Sequence, residues 1–231
     1  MAITSVSRLM ADPALSTCEA WLSSAELDRL ASITAPNRRR QFMAGRWWAR
    51  QLLSAKFDGQ ARDWHLSSAE DGPPQVTHGP CVPLPAVALS HSGDRVACAV
   101  TANGPLGLDI EVPRPRRRLH ELAELALHPC EFSAWREVAP SQQITEFYAL
   151  WTAKEAWIKS RGGALAPAQL AHMCSRPAEA HDEVVGITFG LDNTLATVVC
   201  PANCRIDWPT LPAAEQRIQT TSPRFAVVMD D

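Results

Sequence analysis

Hydrophobic positions along the chain follow two periods, one typical of strands and one typical of helices. Every second residue of the stretch 106–112 is aliphatic, which predicts a strand with Ile110 facing the core. Apolar residues recur near helical spacing over 38–56 and again over about 143–160, and these stretches predict two long helices. Further predicted elements are helices over 24–31, over 119–126 and from about 130, and strands over 87–89, 96–101, 184–190, 194–200 and 224–229.

Turn and loop residues divide this series of elements into two halves. The segment 73–85 contains five prolines and is predicted to be a loop, and Asn103-Gly104-Pro105 is typical of a turn. Each half carries helices and strands in comparable number, although no repeat is visible in the sequence. We therefore expect an α+β fold with an N-terminal subdomain over 1–103 and a C-terminal subdomain over 104–231.

The composition narrows the class of protein. A chain of 231 residues with 46% hydrophobic residues is long enough for one compact unit or for two small packed subdomains. The net charge of −3 implies no general attraction to nucleic acid or to a membrane surface. No run of eighteen apolar residues predicts a membrane span, and the first residues lack the pattern of a signal peptide. We expect a soluble, cytoplasmic monomer.

The seven cysteines are odd in number and scattered, without a Cys-x-x-Cys pair, which fits reduced intracellular thiols. Cys98 and Cys200 lie in apolar strand stretches and are predicted to be core residues. The pairs Cys200 with Cys204 and His172 with Cys174 do not have the spacing of a usual zinc site. No zinc site is therefore predicted from the sequence.

Two acidic segments carry the strongest chemical signal in the chain. Asp109 and Glu111 lie two apart on the predicted strand, and Glu155 and Lys159 lie four apart on a predicted helix, so each pair shares a face. Carboxylates beside a lysine suit a hard divalent cation that is shared with a substrate phosphate. Each segment also has an ordinary alternative: a surface ion pair on the helix, and the solvent-exposed face of an antiparallel sheet.

A third segment, Ser90-His91-Ser92, lies at the turn of a predicted hairpin. One interpretation is an anion-binding turn, because hydroxyls, an imidazole and backbone N–H groups can all donate to an anion. The alternative is a serine-rich turn with a solvated histidine. Arginines also cluster at the start of the helix over 38–56, where they form either a phosphate-binding face or a solvated basic face.

Taken in order, these segments resemble the motifs of the 4'-phosphopantetheinyl transferases, in particular the long, surfactin-synthetase-activating type. That family shows a Phe-x-Ala-Gly-Arg helix, a Ser-His-Ser turn, then Gly-x-Asp-x-Glu, then Trp-x-x-Lys-Glu-x-x-x-Lys. The matching stretches are 42–46, 90–92, 107–111 and 151–159, and the resemblance covers about residues 36–165. It implies a pseudo-twofold pair of similar α+β subdomains with the active site at their junction.

The resemblance also implies a reaction and its residues. Such an enzyme uses Mg²⁺ to move the 4'-phosphopantetheine arm of coenzyme A onto a serine of an apo acyl or peptidyl carrier protein, and it releases 3',5'-adenosine bisphosphate. The implied metal ligands are Asp109, Glu111 and Glu155; the implied catalytic residues are Glu155, which accepts the serine proton directly or through a water, and Lys159. The implied cofactor-binding residues are Arg38, Arg46, Ser90, His91, Lys154 and Lys159. Arg38 represents the group Arg38, Arg39 and Arg40, of which one is implied to contact the cofactor. The alternative for Lys154 is a solvated lysine.

Two features depart from the family pattern or extend it. Where the family often has Gly-Lys-Pro, this chain has Gly72-Pro73-Pro74, so the cofactor pocket is expected to lack one charge. The stretch 113–118 is proline- and arginine-rich; it is either solvated or, as the resemblance implies, close to an acidic carrier protein that it steers.

Two other classes of function remain open alongside the transferase. One is a catalytically inactive module that binds coenzyme A or a carrier protein, and the other is a metal-dependent hydrolase of phosphoanhydrides. The retained acidic residues and Lys159 favour the transferase over the inactive module, because a binding module has no need of a metal site. The Ser-His-Ser turn favours it over the hydrolase.

Overall fold

The computed structural model describes residues 1–67, 73–163, 167–215 and 218–229. Over these residues the helices are α1 (Val6–Leu9), α2 (Ser24–Ser32), α3 (Pro36–Phe57), α4 (Leu119–Ala126), α5 (Pro129–Arg136), α6 (Pro140–Ser160) and α7 (Pro167–Leu170), with 3₁₀ helices at Pro13–Ala20 and Ala61–Asp63. The strands are β1 (Ala2–Ser5), β2 (His65–Leu66), β3 (Val76–His78), β4 (Ala86–Ser92), β5 (Arg95–Thr101), β6 (Gly107–Glu111), β7 (Met173–Pro177), β8 (Val184–Leu191), β9 (Thr194–Pro201), β10 (Ile218–Thr221) and β11 (Phe225–Met229). This mixture of helices and antiparallel sheets confirms the predicted α+β class.

The chain forms two compact units, and each is built from two separate parts of the sequence. The first unit comprises Met1–Leu106 with Arg205–Gln216, and the second comprises Gly107–Cys204 with Arg217–Asp231. The expected boundary after residue 103 is three residues too early, and the segment that begins at Arg205 belongs to the first unit instead of the second.

The physical reason lies in what this returning segment contacts. Leu211 is buried in the core of the first unit. The backbone N–H of Glu215 donates to the carbonyl of Ile3 at 2.8 Å, and its carboxylate pairs with Arg95. A buried leucine and a backbone hydrogen bond to β1 outweigh sequence proximity, so this segment folds with the first unit.

The first unit packs helix α3 against a three-stranded antiparallel sheet of order β1-β5-β4. Trp48, Leu52 and Leu53 on α3 are fully buried in its core. The strands β4 and β5 form a hairpin in which Ser92 pairs with Arg95, so the Ser-His-Ser segment lies at the end of β4 beside the turn. The predicted hairpin is confirmed, and α3 runs two residues earlier and one residue later than predicted.

The second unit packs α6 against a larger antiparallel sheet of order β6-β9-β8-β11-β7, with β10 also pairing with β8. Phe147, Tyr148 and Ala156 on α6 are buried in its core together with Leu195 and Val199 of β9. The predicted strand at 106–112 is β6, and its register places Asp109 opposite Thr197.

The two units repeat the same order of elements, although the sequence shows no repeat. Helices α2 and α5 each begin with a capping box whose third residue is a glutamate, Glu26 and Glu131. Helices α3 and α6 each begin with an Ala-Pro pair, and at the same distance from that proline each carries a buried cation, Arg50 and Lys154. The sheet orders β1-β5-β4 and β6-β9-β8 correspond in the same way.

Each glutamate of this repeat forms a buried ion pair with the cation of the long helix. Arg50 binds Glu26 with two guanidinium nitrogens, at 3.0 and 2.6 Å, and both side chains are fully buried. The Lys154 ammonium lies 2.6 Å from Glu131 in the second unit. The pairs join the start of a short helix to the middle of a long one.

Some local elements differ from the sequence-based expectation. Strand β3 lies inside the proline-rich segment predicted as a loop, because the three residues Val76–His78 lie between prolines, keep their N–H donors and pair with β2. Strands β1, β2, β7 and β10 were not predicted. Within the described ranges, no helix has the length and apolarity that a bilayer crossing requires.

Breaking the Arg50–Glu26 pair should destabilise the first unit strongly. Arg50→Met leaves the Glu26 carboxylate buried without its main cation, and this costs about 3–5 kcal/mol of unfolding free energy in urea denaturation. Arg118→Met is the matched control, because the Arg118–Glu121 pair is exposed and its loss costs about 0–1 kcal/mol. Equal losses in the two variants would show that burial of the pair contributes nothing.

Candidate functional site

The acidic part of the site lies on the face of β6 that helix α6 covers. Gly107, Asp109 and Glu111 share this face, and α6 packs against both β6 and β9. The hydroxyl of Thr152 on α6 contacts the hydroxyl of Thr197 at 2.9 Å, directly beside Asp109 in the register. Asp109 is only 2% exposed, which excludes the alternative that it lies on a solvent-exposed sheet face.

Gly107 permits the close approach of α6 to β6. A Cβ atom at this position would lie 1.9 Å from the carbonyl oxygen of Ala156 and 2.7 Å from the backbone nitrogen of Ser160. Only glycine fits so close to a helix backbone. The contact brings the helical turn that carries Glu155 and Lys159 against the strand that carries Asp109.

Lys159 joins the acidic residues of the strand and the helix. Its ammonium lies 2.6 Å from Oδ1 of Asp109 and 3.3 Å from Oε2 of Glu155. Burial alone would lower the pKa of Lys159, but the carboxylates of Asp109 and Glu155 outweigh burial and raise the pKa above its ordinary value. The two carboxylates therefore converge on a single point of positive charge.

Glu111 lies at the end of β6, partly buried and two residues beyond Asp109 on the same face. The site thus offers oxygen ligands from three carboxylates, two on a strand and one on a helix. Hard cations such as Mg²⁺ prefer these ligands, and the position of the Lys159 ammonium shows that the carboxylates of Asp109 and Glu155 accommodate a cation. The donor set fits the metal that the sequence implies.

Lys154 has a structural position that corrects its assignment as a cofactor-binding residue. Its side chain is fully buried, and its ammonium donates to the carbonyls of Ala126 at 3.0 Å and Leu170 at 2.8 Å and pairs with Glu131. Burial lowers the pKa of Lys154 even though Glu131 acts in the opposite direction. No surface of this lysine is open to a cofactor, and the alternative of a solvated lysine is excluded too.

Glu131 is a residue that the sequence analysis missed. Besides Lys154, its carboxylate accepts the backbone N–H of His128 at 3.1 Å and that of Ser175 at 2.9 Å. The available signal in the sequence is the capping pattern, in which a polar residue, His128, is followed three positions later by a glutamate.

A basic cavity of about 220 Å³ lies in the first unit between α3, β4 and the end of α2. Its lining brings together Arg38, Arg46, Ser90 and His91, all of which the sequence analysis singled out, and adds Arg29. The Arg38 guanidinium donates to Nε2 of His91. Basic groups packed around a buried hydroxyl form an arrangement that an anion stabilises.

The three arginines at the start of α3 have different environments. Arg38 lines the cavity, whereas Arg39 donates to the carbonyls of Leu30 and Ile33 and so caps the C-terminal end of α2. Arg40 lines a separate depression beside Asp94. Of the three candidates that the sequence left open, Arg38 is the one in the cavity.

Arg46 is held at the inner wall of the same cavity. It donates to the carbonyl of Ser67 at 2.6 Å, lies 3.7 Å from the Glu26 carboxylate and stacks over the Phe42 ring. Burial lowers the pKa of Arg46 to about 10, with Glu26 opposing this and Arg50 adding to it, so it stays charged at neutral pH. Arg29 was missed because it belongs to no motif and reaches the cavity from the last turn of α2.

The structure also describes parts of the Gly72-Pro73-Pro74 stretch and of the basic stretch 113–118, the two features that depart from the family pattern or extend it. Gly72 lies outside the described residues, and Pro73 and Pro74 line the cavity without supplying charge. In the basic stretch, Arg116 donates to the Tyr148 hydroxyl at 2.8 Å and Arg118 pairs with Glu121.

Comparison with known proteins identifies a matching family model and several similar proteins. A family model described as "4'-phosphopantetheinyl transferase superfamily" matches residues 105–188. The chain is 35% identical over 144 residues to 4'-phosphopantetheinyl transferase AcpT of Salmonella typhimurium, covering 62% of this chain and 70% of the relative. It is 30% identical over 160 residues to 4'-phosphopantetheinyl transferase HetI of Nostoc sp., covering 69% and 68%. It is 30% identical over 156 residues to 4'-phosphopantetheinyl transferase Sfp of Bacillus subtilis, covering 62% and 67%.

Substitution of Gly107 should push α6 away from β6 and so destabilise the protein. Gly107→Ala places a methyl group on the backbone of α6, so the helix must shift; we expect an unfolding free energy lower by several kcal/mol. Gly45→Ala is the matched control, because its added Cβ meets only a Leu89 methyl at 3.7 Å within a helix, where alanine stabilises by about 0.5–1 kcal/mol. Thermal denaturation of both variants tests this, and a Gly107→Ala protein as stable as the wild type would contradict it.

Proposed function

The chain belongs to the 4'-phosphopantetheinyl transferase family, and from this membership we propose that it transfers the phosphopantetheine arm of coenzyme A to a serine of an apo carrier protein. The other product is 3',5'-adenosine bisphosphate. The observation that carries this proposal is the convergence of Asp109 and Glu155 on one cationic point, occupied by Lys159. An inactive binding module has no use for such an arrangement.

We assign Mg²⁺ to the carboxylates of Asp109, Glu111 and Glu155, because they form a set of hard oxygen ligands on one face of β6 and the facing turn of α6. When bound, the ion supplies positive charge that neutralises the pyrophosphate oxygens. The chain's own contribution is to hold three carboxylates at fixed positions, since Gly107 fixes the distance between strand and helix.

The remaining chemistry falls to Glu155 and Lys159. The serine oxygen of the carrier attacks the phosphorus that bears the pantetheine arm, and the bond from that phosphorus to the adenosine bisphosphate oxygen breaks. The serine proton passes to Glu155, directly or through a water. Lys159, whose pKa is raised by Asp109 and Glu155, stays protonated and binds the phosphate oxygens on which charge collects.

We assign the 3'-phosphate of coenzyme A to the basic cavity of the first unit. Arg38, Arg46 and His91 offer N–H donors there, and Ser90 offers a buried hydroxyl. Charge-assisted hydrogen bonds from arginine to phosphate are stronger than neutral ones and fix its orientation. The exposed Arg114 and Arg117 of the stretch 113–118 suit an acidic carrier surface, because Arg116 and Arg118 already have partners.

Removing any one carboxylate of the acidic site should abolish transfer. Asp109→Asn, Glu111→Gln and Glu155→Gln each remove a charged metal ligand, which lowers turnover by at least about 100-fold with saturating Mg²⁺. Glu124→Gln, on the exposed side of α4, is the matched control and keeps wild-type turnover. The measurement is the gain of one phosphopantetheine mass by an apo carrier protein incubated with coenzyme A and Mg²⁺.

The same assay separates the competing functions. A wild-type protein that binds coenzyme A but leaves every carrier of an acyl and peptidyl panel unchanged would be an inactive module. A protein that cleaves the pyrophosphate of coenzyme A without a carrier would be a hydrolase. An amide variant with wild-type turnover would remove that residue from the metal site.

Contacts to the 3'-phosphate should affect affinity rather than turnover. Arg38→Met and His91→Ala each remove a donor, so the KM for coenzyme A rises by about 10-fold or more while kcat changes little. The effect shrinks with dephospho-coenzyme A, which lacks the 3'-phosphate. Arg40→Met, the neighbouring arginine outside the cavity, is the control and leaves both KM values unchanged. Equal losses with both cofactors would place Arg38 and His91 elsewhere.

A further inference from the structure

A cluster of one histidine and two cysteines lies in the second unit, outside the acidic site. His128 precedes α5, Cys130 lies in its first turn, and Cys174 lies on β7. Nδ1 of His128 is 2.9 Å from Sγ of Cys130, which is 3.0 Å from Sγ of Cys174. All three atoms lie within 4.8 Å of one another, so a nitrogen and two sulfur atoms face one point.

The carboxylate of Glu131 holds both segments that carry this cluster. One oxygen accepts the backbone N–H of His128 and the other accepts the backbone N–H of Ser175, next to Cys174. Lys154 balances the carboxylate charge at 2.6 Å. The cluster is therefore supported by a buried ion pair and is not a chance meeting of flexible side chains.

The imidazole of His128 offers an unprotonated nitrogen at the cluster. The backbone N–H of Cys130 donates to Nδ1 of His128 at 3.3 Å, so Nδ1 is the unprotonated nitrogen, and a metal that binds it takes the place of this long capping hydrogen bond.

We propose that His128, Cys130 and Cys174 form a binding site for Zn²⁺, separate from the carboxylate site. One imidazole nitrogen and two thiolates are ligands that zinc prefers and Mg²⁺ does not, and three protein ligands leave a fourth position for water or a small thiol. Binding releases the thiol protons as the two Zn–S bonds form. With Zn–S of about 2.3 Å and Zn–N of about 2.0 Å, tetrahedral geometry lengthens the His128 Nδ1–Cys130 Sγ and Cys130 Sγ–Cys174 Sγ distances by less than roughly 1 Å, which small side-chain rotations allow.

The sequence could not reveal this site, because its ligands belong to no Cys-x-x-Cys or Cys-x-His motif. His128 and Cys130 are brought to Cys174 by the packing of α5 against β7. The exposed Cys130 provides an entry path for the ion. Bound zinc ties α5 to β7 around the Glu131–Lys154 pair, so it should stabilise the second unit.

The test uses the full-length, untagged, reduced protein in excess Mg²⁺, which occupies the carboxylate site. After removal of metal by a chelator, one Zn²⁺ per chain should bind, and Co²⁺ should give the thiolate-to-metal charge-transfer absorption that oxygen ligands cannot produce. Cys130→Ser and Cys174→Ser should each lose this absorption and weaken Zn²⁺ binding by at least about 10-fold. Cys204→Ser is the matched control and retains both.

A measurement on the wild type alone keeps the proposal testable if a variant fails to fold. Zn²⁺ should protect Cys130 from alkylation by iodoacetamide, read by peptide mass spectrometry, and should raise Tm. Absence of the cobalt–thiolate absorption, or its persistence in a folded Cys130→Ser protein, would overturn the zinc site. So would a Cys130–Cys174 disulfide that persists in a glutathione buffer of cytosolic potential.

Discussion

The buried pair between Glu131 and Lys154 is the interaction on which the second unit depends. Two charges in an interior are unfavourable unless each is fully hydrogen-bonded, and here both are. The glutamate binds backbone groups at the start of α5 and on β7, and the lysine binds the last carbonyls of α4 and α7. The pair therefore fixes the position of α6 along its length, and Glu155, the next residue of that helix, is fixed with it.

The parts of the structure that the sequence predicts well are those set by local periodicity. The alternation along 106–112 was enough to place Asp109 and Glu111 on one face, and helical spacing gave Glu155 and Lys159 a common face. Lys154 could not be judged in this way, because helical phase does not tell whether a face meets solvent or a buried carboxylate. Its partner is distant in sequence, and only the packing of α5 against α6 brings the two together.

The internal repeat stayed hidden for a related reason. The corresponding positions keep a physical role and change the residue that performs it: a serine and a histidine each cap a helix, and an arginine and a lysine each pair with the capping glutamate. Lys154, the first lysine of the family motif, thus corresponds to Arg50 of the first unit, which forms a buried ion pair with Glu26. The arginines at 38–40 also show that residue type alone does not predict a role. Arg38 lines the basic cavity, Arg39 caps the end of α2, and Arg40 lines a separate depression.

The return of residues 205–215 to the first unit bears on how the chain emerges from the ribosome. Synthesis proceeds from the N-terminus, and most domains fold as soon as their own sequence is available. Here the first unit lacks Leu211 and the hydrogen bond to Ile3 until the second unit has been made almost completely. The nascent N-terminal half must therefore wait with part of its core uncovered, and the two units reach completion nearly together. A chain of this topology is translated in one direction but matures as a whole.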